Sequence, residues 1–194
     1  MPAAKNNNKD SNKTLSVYEI IEDKEEAISH TLSVILDDEP GALARVIGIF
    51  TSRGYNIDSL TVSSVDSEKE ISRITIVTKG SIRVIQQIMA LLNRLVPVYE
   101  VRDLTYESPH VERALCLVKV IAEGKNRAAA QALADRFGAK TIDSTPESFI
   151  FELTDLPAKI EKFIGLMSPL GIAEVAKTGV TAMAKGAEFI VVNG

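Results

Sequence analysis

Few residues in this chain have the chemistry to react. There are two histidines, His30 and His110, and one cysteine, Cys116. Cys116 lies in the apolar run ALCLVKVI, where a thiol packs as a small hydrophobe and burial suppresses its reactivity. A lone thiol has no internal disulfide partner, which suits a reducing compartment. His30 opens a β-branched segment and His110 falls between two apolar segments. Neither has a nucleophile or a ligating residue at motif spacing, so both are expected at a surface or an element boundary. The patterns CxxC, HExxH, GxxxxGK[ST] and GxGxxG are all absent. Asp37, Asp38 and Glu39 are consecutive, and sequence neighbours seldom flank one substrate as an acid–base pair. The expectation is that the chain has no catalytic residues, no metal site and no cofactor of its own.

One stretch has chemistry of another kind. DEPGALARV, residues 38–46, puts a Pro-Gly pair at the start of an apolar-striped segment, and GYNI follows at 54–57. If a helix starts at Gly41, the N–H groups of Gly41, Ala42 and Leu43 have no intrahelical acceptor, and the helix dipole favours negative charge there. Pro40 fixes the turn, and Gly41 lets the backbone approach a ligand closely. Asn56 offers an amide and Ile57 an apolar wall. These parts suit a small amino acid: a carboxylate on the helix N-terminus, an ammonium on carbonyls, Asn56 or Asp38, and a short side chain on Ala42, Leu43 or Ile57. The competing reading is that Pro-Gly only turns a strand into a helix and Asn56 only follows a helix terminator. Residue chemistry by itself leaves both open.

The elements that would hold this junction can be read from periodicity. Four segments carry apolar residues at i, i+3, i+4 and i+7, the spacing of a helix buried on one face. They are Leu43–Phe50, Ile85–Leu92, Ala130–Phe137 and Ile160–Met167. Strands are expected at 30–37, 56–65, 70–79 and 97–106, with a polar turn, DSEK, between the second and third. After ESPHVE (107–112), read as a linker, the order repeats: strands at 114–121, 139–144, 147–153 and 171–180, with helices at 126–137 and 157–167. Strand-helix-strand twice with right-handed crossovers makes a split βαβ sheet with both helices on one face. The fold class is therefore α+β, two tandem ferredoxin-like βαββαβ domains at 29–106 and 113–183. Each sheet should leave an open edge, which favours a homodimer joined through the first domains.

Composition sets outer bounds. With 194 residues, net charge −4 and 45% hydrophobic residues, the chain has an ordinary soluble composition without a basic nucleic-acid face. No apolar run reaches the roughly 18 residues of a membrane helix. Residues 1–28 and 184–194 are expected to be tails. The first of these has no apolar core of a signal peptide and no arginine before Arg45, so the chain is expected to be cytoplasmic.

Taken together, ILDDEPGALARVIGIFTSRGYNIDSLTV, SRITIV and HVERALCLVKV resemble the regulatory small subunits of acetolactate synthase, also called acetohydroxyacid synthase. The DxPGxL loop with RGYNI at this spacing is the specific part. PGxL by itself would mark only an ACT domain, an amino-acid-sensing module found in many regulated enzymes. The resemblance implies an ACT domain at 29–106 that pairs with its counterpart in a second subunit and binds valine at their interface. It assigns effector binding to Asp38, Gly41, Ala42, Leu43, Asn56 and Ile57, the loop coming from one subunit and the Asn-Ile region from the other. Some members have Asn where this chain has Asp38, which could accept from an ammonium but would repel a carboxylate. The resemblance further implies a non-catalytic subunit that binds a large catalytic subunit, raises its activity and confers feedback inhibition in branched-chain amino acid synthesis. Thiamine diphosphate, Mg²⁺ and FAD are then expected on the large subunit. The alternative is a stand-alone ACT-type sensor or adaptor acting on a different partner.

Overall fold

The computed structural model describes residues 26–66 and 68–187. Most of the sequence expected to form the N-terminal tail (1–25) and the end of the C-terminal one (188–194) lies outside these residues.

In chain order the first half contains β1 (Ile28–Asp37), α1 (Ala42–Arg53), β2 (Ser59–Asp66), β3 (Ile71–Gly80), α2 (Ile82–Leu92), β4 (Val98–Asp103) and a short α3 (Leu104–Glu107). The second half contains β5 (His110–Ile121), α4 (Gly124–Phe137), β6 (Lys140–Ser144), β7 (Ser148–Asp155), α5 (Pro157–Met167), β8 (Ile172–Lys177) and β9 (Thr181–Ala184). The first sheet runs β2-β3-β1-β4 and the second β6-β7-β5-β8, all paired antiparallel. This is the expected pair of ferredoxin-like units.

Each sheet is held by the helices on one face. Leu32, Val34 and Leu36 of β1 meet Val46 and Phe50 of α1 and Ile85, Ile88 and Leu92 of α2 in one buried cluster. Cys116, Val118 and Val120 of β5 do the same with Ala130 and Ala134 of α4 and Ile160, Phe163 and Met167 of α5. The buried stripe of α1 begins at Ala42 (3% exposed), whereas Leu43 is 36% exposed. Val46 and Phe50 are buried as expected, and only the first member of the stripe differs, because Ala42, about one turn before Val46, takes the inward position instead of Leu43.

Four further differences follow from tertiary pairing. Leu104, Thr105 and Tyr106, expected as strand, turn into α3 because the Asp103 carboxylate caps the N–H of Thr105 at 3.0 Å. The expected linker contains the start of β5, since His110–Arg113 pair with β9, a strand the sequence reading did not contain. His30 is buried (1% exposed) rather than superficial. Its Nδ1 lies 2.7 Å from Asp103 Oδ2, and its ring stacks on Tyr106. Finally, β1 alternates less than expected: His30, Thr31, Ser33 and Ile35 are buried along with the core-facing residues. At the Thr31 end, the β5–β9 ribbon contributes to this cover, with Glu112 accepting from the Thr31 hydroxyl.

Phe50 has no exposed surface and packs edge-on to Tyr55. Phe50→Ala should lower unfolding stability by about 3–5 kcal/mol, the usual range for emptying a buried aromatic site. Urea denaturation of the purified chain measures it, and a loss under about 1 kcal/mol would mean the first core is not close-packed there.

Candidate effector site

β1 ends at Asp37, and two backbone bonds fix its last residues. The N–H of Asp37 donates to Pro97 O (2.8 Å) and that of Asp38 to Glu70 O (2.6 Å). Glu39, Pro40 and Gly41 then lift the chain to the start of α1. Gly41 is the N-cap at φ 89° and ψ −8°, a left-handed conformation that strains any residue with a β-carbon. A β-carbon built there would meet nothing within 4 Å, so the space above this helix end is open.

The donors at this end are fewer than the sequence reading supposed. The helix starts at Ala42, and the Ala42 N–H turns back onto Glu39 O at 3.2 Å. No side chain caps the helix. The N–H groups of Gly41 and Leu43 have no recorded acceptor among the described residues. The Ala42 methyl is in the core, so Leu43 is the apolar side chain that stands beside the opening.

The three acids divide their duties. Asp37 accepts from the Tyr99 hydroxyl, and that bond raises the Tyr99 pKa above its ordinary value. Glu39 pairs with Arg45 at 2.6 Å. Asp38 is exposed and has no recorded side-chain partner among the described residues. The Tyr99 clamp was not singled out from sequence, because a strand tyrosine gives no signal of which loop it meets.

Asn56 and Ile57 lie elsewhere. Asn56 is exposed, its side-chain amide donates to Asp58, and its carbonyl accepts from the Thr78 hydroxyl at 2.6 Å. Ile57 is half-buried against the first core. Thr31, Val77 and Ser59 are level across the sheet, as are Asp37, Ile71 and Asp66 at its other end. The loop at Asp38 and the Asn-Ile segment are thus at opposite ends of one sheet, about 20 Å apart at 3.3 Å per strand residue. The twelve residues of α1 span the same gap, about 18 Å at 1.5 Å each. One chain keeps Asp38, Gly41, Ala42 and Leu43 together and Asn56 and Ile57 apart from them. β2, which follows Asn56, is an edge strand whose Val62 (43%) and Val65 (48%) are exposed.

Among the described residues no group of three or more His, Cys, Asp or Glu side chains is placed to hold a metal ion. His110 Nε2 faces Glu112 at 3.2 Å, and Cys116 is fully buried. No helix among the described residues is long and apolar enough to cross a membrane.

Tandem βαββαβ units, the first with a glycine-started helix above the end of β1 and an open β2 edge, define a protein of the ACT-domain class. Residues 32–100 match the family described as AHAS small subunit-like ACT domain, and residues 113–186 the family described as small subunit of acetolactate synthase. A protein named probable acetolactate synthase small subunit from Archaeoglobus fulgidus is 41% identical over 82% of this chain and 98% of its own length. The acetolactate synthase isozyme 3 small subunit of Escherichia coli is 40% identical over 80% of this chain and 94% of its own. The crystal structure of the acetolactate synthase small subunit from Thermotoga maritima superposes with TM-score 0.73 at 33% identity, covering 83% of this chain and 99% of that one. This chain belongs to the family of acetolactate synthase small subunits.

Burial pushes the Cys116 thiol pKa up, which depletes the reactive thiolate. Iodoacetamide at pH 8 should therefore leave Cys116 essentially unmodified in the folded protein and alkylate it rapidly in denaturant, as intact-mass measurement would record. Equal rates in both states would contradict the buried strand position.

Proposed function

We propose that this chain is a non-catalytic regulatory subunit of acetolactate synthase. In this reading it binds the large catalytic subunit, raises its activity and makes the assembled enzyme sensitive to valine, with the other branched-chain amino acids as competing effectors. Thiamine diphosphate, Mg²⁺ and FAD belong to the large subunit. The observation that carries the reading is 41% identity, across both domains, to a protein named as an acetolactate synthase small subunit.

The effector cradle is completed by a second copy of the chain. Two β2 edges paired antiparallel about a two-fold axis would extend the first sheets side by side. Such pairing sets the start of one β2 beside the end of the other, which brings Asn56 and Ile57 of one chain to the end of the sheet where the other chain's Gly41 lies. The effector carboxylate takes the free N–H groups of Gly41 and Leu43 at the positive end of α1. Its ammonium takes the Asn56 amide oxygen or Asp38, and its short side chain lies on Leu43 and Ile57. Asp38 favours the ammonium and opposes the carboxylate, which fixes which end of the zwitterion faces it.

Regulation is then a linkage. Valine binds one dimer arrangement better than another, and the favoured arrangement stabilises a less active state of the catalytic subunit. It can shift that equilibrium only by its differential affinity, of the order of 1–3 kcal/mol for typical site-to-site coupling.

Gly41→Asp places a charged side chain in the cradle at a left-handed position. In the enzyme reconstituted from this chain and the large subunit, the activity ratio with and without valine should approach one. Retained inhibition would remove Gly41 from the site. Asn56→Ala should weaken valine binding by calorimetry, and no heat with valine, leucine or isoleucine from the wild-type dimer would refute the cradle. Val62→Lys puts a charge into the β2 seam and should convert dimer to monomer by light scattering. A variant as dimeric as the wild type would move the interface elsewhere. Pull-down from the source cells distinguishes this reading from an ACT-type adaptor: recovery of a thiamine-diphosphate enzyme supports it.

A further inference from the structure

Asn56, the residue that the proposed site draws from the second copy, stands three residues before Ser59, where a tight joint between the two domains begins. Its amide donates to Asp58, whose own N–H is fixed on Val77 O at 2.8 Å. The next residue, Ser59, accepts through its hydroxyl from the N–H of Val180 at 2.8 Å. Beside it, Gly179 lies so close to β2 that an added β-carbon would fall 2.4 Å from Thr61 Oγ1 and 2.5 Å from Leu60 O. Gly179 has no left-handed φ, so packing rather than backbone conformation requires the glycine. Thr61 Oγ1 is buried without a hydrogen-bond partner. A contact that leaves a hydroxyl unpaired is maintained by its surroundings rather than by its own polar bonding.

The other side of the joint is equally firm. Thr178 is tied to β5 in both directions, its N–H donating to Leu115 O at 2.9 Å and its hydroxyl accepting from Leu115 N at 3.0 Å. Val180 (6%) and Ala182 (1%) are buried. Thr31 adds a second tie from β1 to Glu112 of the β5–β9 ribbon. A cleft of about 670 Å³ opens between the domains next to the joint, with Asp58 and Ser59 on one wall and Glu161 and Lys177 on the other.

We infer that Ser59, Thr61 and Gly179 relay effector occupancy from the first domain to the second. The inference rests on the proposed effector reading. An effector ammonium on the Asn56 amide oxygen draws on a side chain whose NH2 is already tethered to Asp58, and so bears on the start of β2. Close-packed contacts have no slack in which to absorb a shift there. Movement of Ser59 and Leu60 is therefore passed to Gly179 and Val180, and through Thr178 to β5 and the second sheet, while the cleft supplies the room for the domains to turn. These are positioning residues and touch no effector.

The test uses enzyme reconstituted from the full chain and the large subunit. Ser59→Ala removes the acceptor for Val180, and Gly179→Ala wedges the joint. Both should bind valine with wild-type heat and affinity, while the extent of valine inhibition falls by about fivefold or more, the lower range of ordinary coupling. Ser59→Thr, which keeps the hydroxyl, should restore inhibition, an outcome that a purely structural role of the side chain would not produce. Thermal melts identify a Gly179→Ala chain that fails to fold, and Ser59→Ala then decides. Full inhibition of Ser59→Ala with unchanged valine affinity overturns the relay, as does loss of valine binding in both variants. If the wild-type protein itself binds no valine, it is the effector reading that fails.

Discussion

The constraint on which the rest depends is the direction of β2. β1 and β2 both pair antiparallel with β3 and are therefore parallel to each other. A parallel connection must return across the length of the sheet, and α1 makes that crossing. Its N-terminus is consequently at the Asp37 end and its C-terminus, with Asn56 just beyond, at the Thr31 end. No side-chain rearrangement within one chain can bring Gly41 and Asn56 to a common ligand. If both contact one amino acid, as proposed, a second chain is a geometrical requirement. The unpaired β2 edge is where a two-fold partner can add without disturbing any existing hydrogen bond.

Much of this was legible before any coordinates, for identifiable reasons. The four long helices carry clean periodicity because each buries one face on a single core, so that Val46 and Phe50, or Ile160 and Phe163, repeat at helical spacing. The reading went wrong where a second layer intervened. His30 carries no local sign that Asp103, 73 residues away, will pair with its ring. His110–Arg113 look like linker because their partner, β9, is a short and unremarkable TAMA segment. The choice of Leu43 as the first inward residue of α1 has a different origin. Alanine reads as neutral in an amphipathic pattern, yet Ala42 is the residue that faces the core. The loop residues of the candidate site were found because Pro-Gly is conspicuous. Tyr99 and Ser59 were not, because what they do is decided by which strand end or domain lies opposite.

The site and the joint also explain why the two halves of the chain are connected as they are. β5 is longer than a single sheet needs, and its first four residues pair with β9 rather than with β7 or β8. That surplus length carries the second domain's backbone over the outer face of the first sheet, away from the helices and from the proposed cradle at Gly41. The contact between domains thus uses the Thr31–Ser59 end of the first sheet, leaving the Asp38 end and the later part of the β2 edge free. An arrangement that covered the Val62 edge instead would have blocked the proposed dimer.

The second domain serves as an internal control for the Asp38–Val46 stretch. The two units repeat down to the hydrogen bonds at the end of their first strands. Ile121 N donates to Gly171 O and Ala122 N to Glu147 O, just as Asp37 N meets Pro97 O and Asp38 N meets Glu70 O. After this shared anchor the halves diverge. One residue, Glu123, separates Ala122 from α4, whereas Glu39, Pro40 and Gly41 separate Asp38 from α1. If Pro-Gly served only to turn a strand into a helix, the second domain shows that one intervening residue suffices. Open space at the helix start is common to both halves, since a β-carbon at Gly41 or at Gly124 meets nothing within 4 Å and both glycines have positive φ. What distinguishes the first domain is therefore the longer connection with its Pro-Gly pair, and not the open helix end, which both domains share.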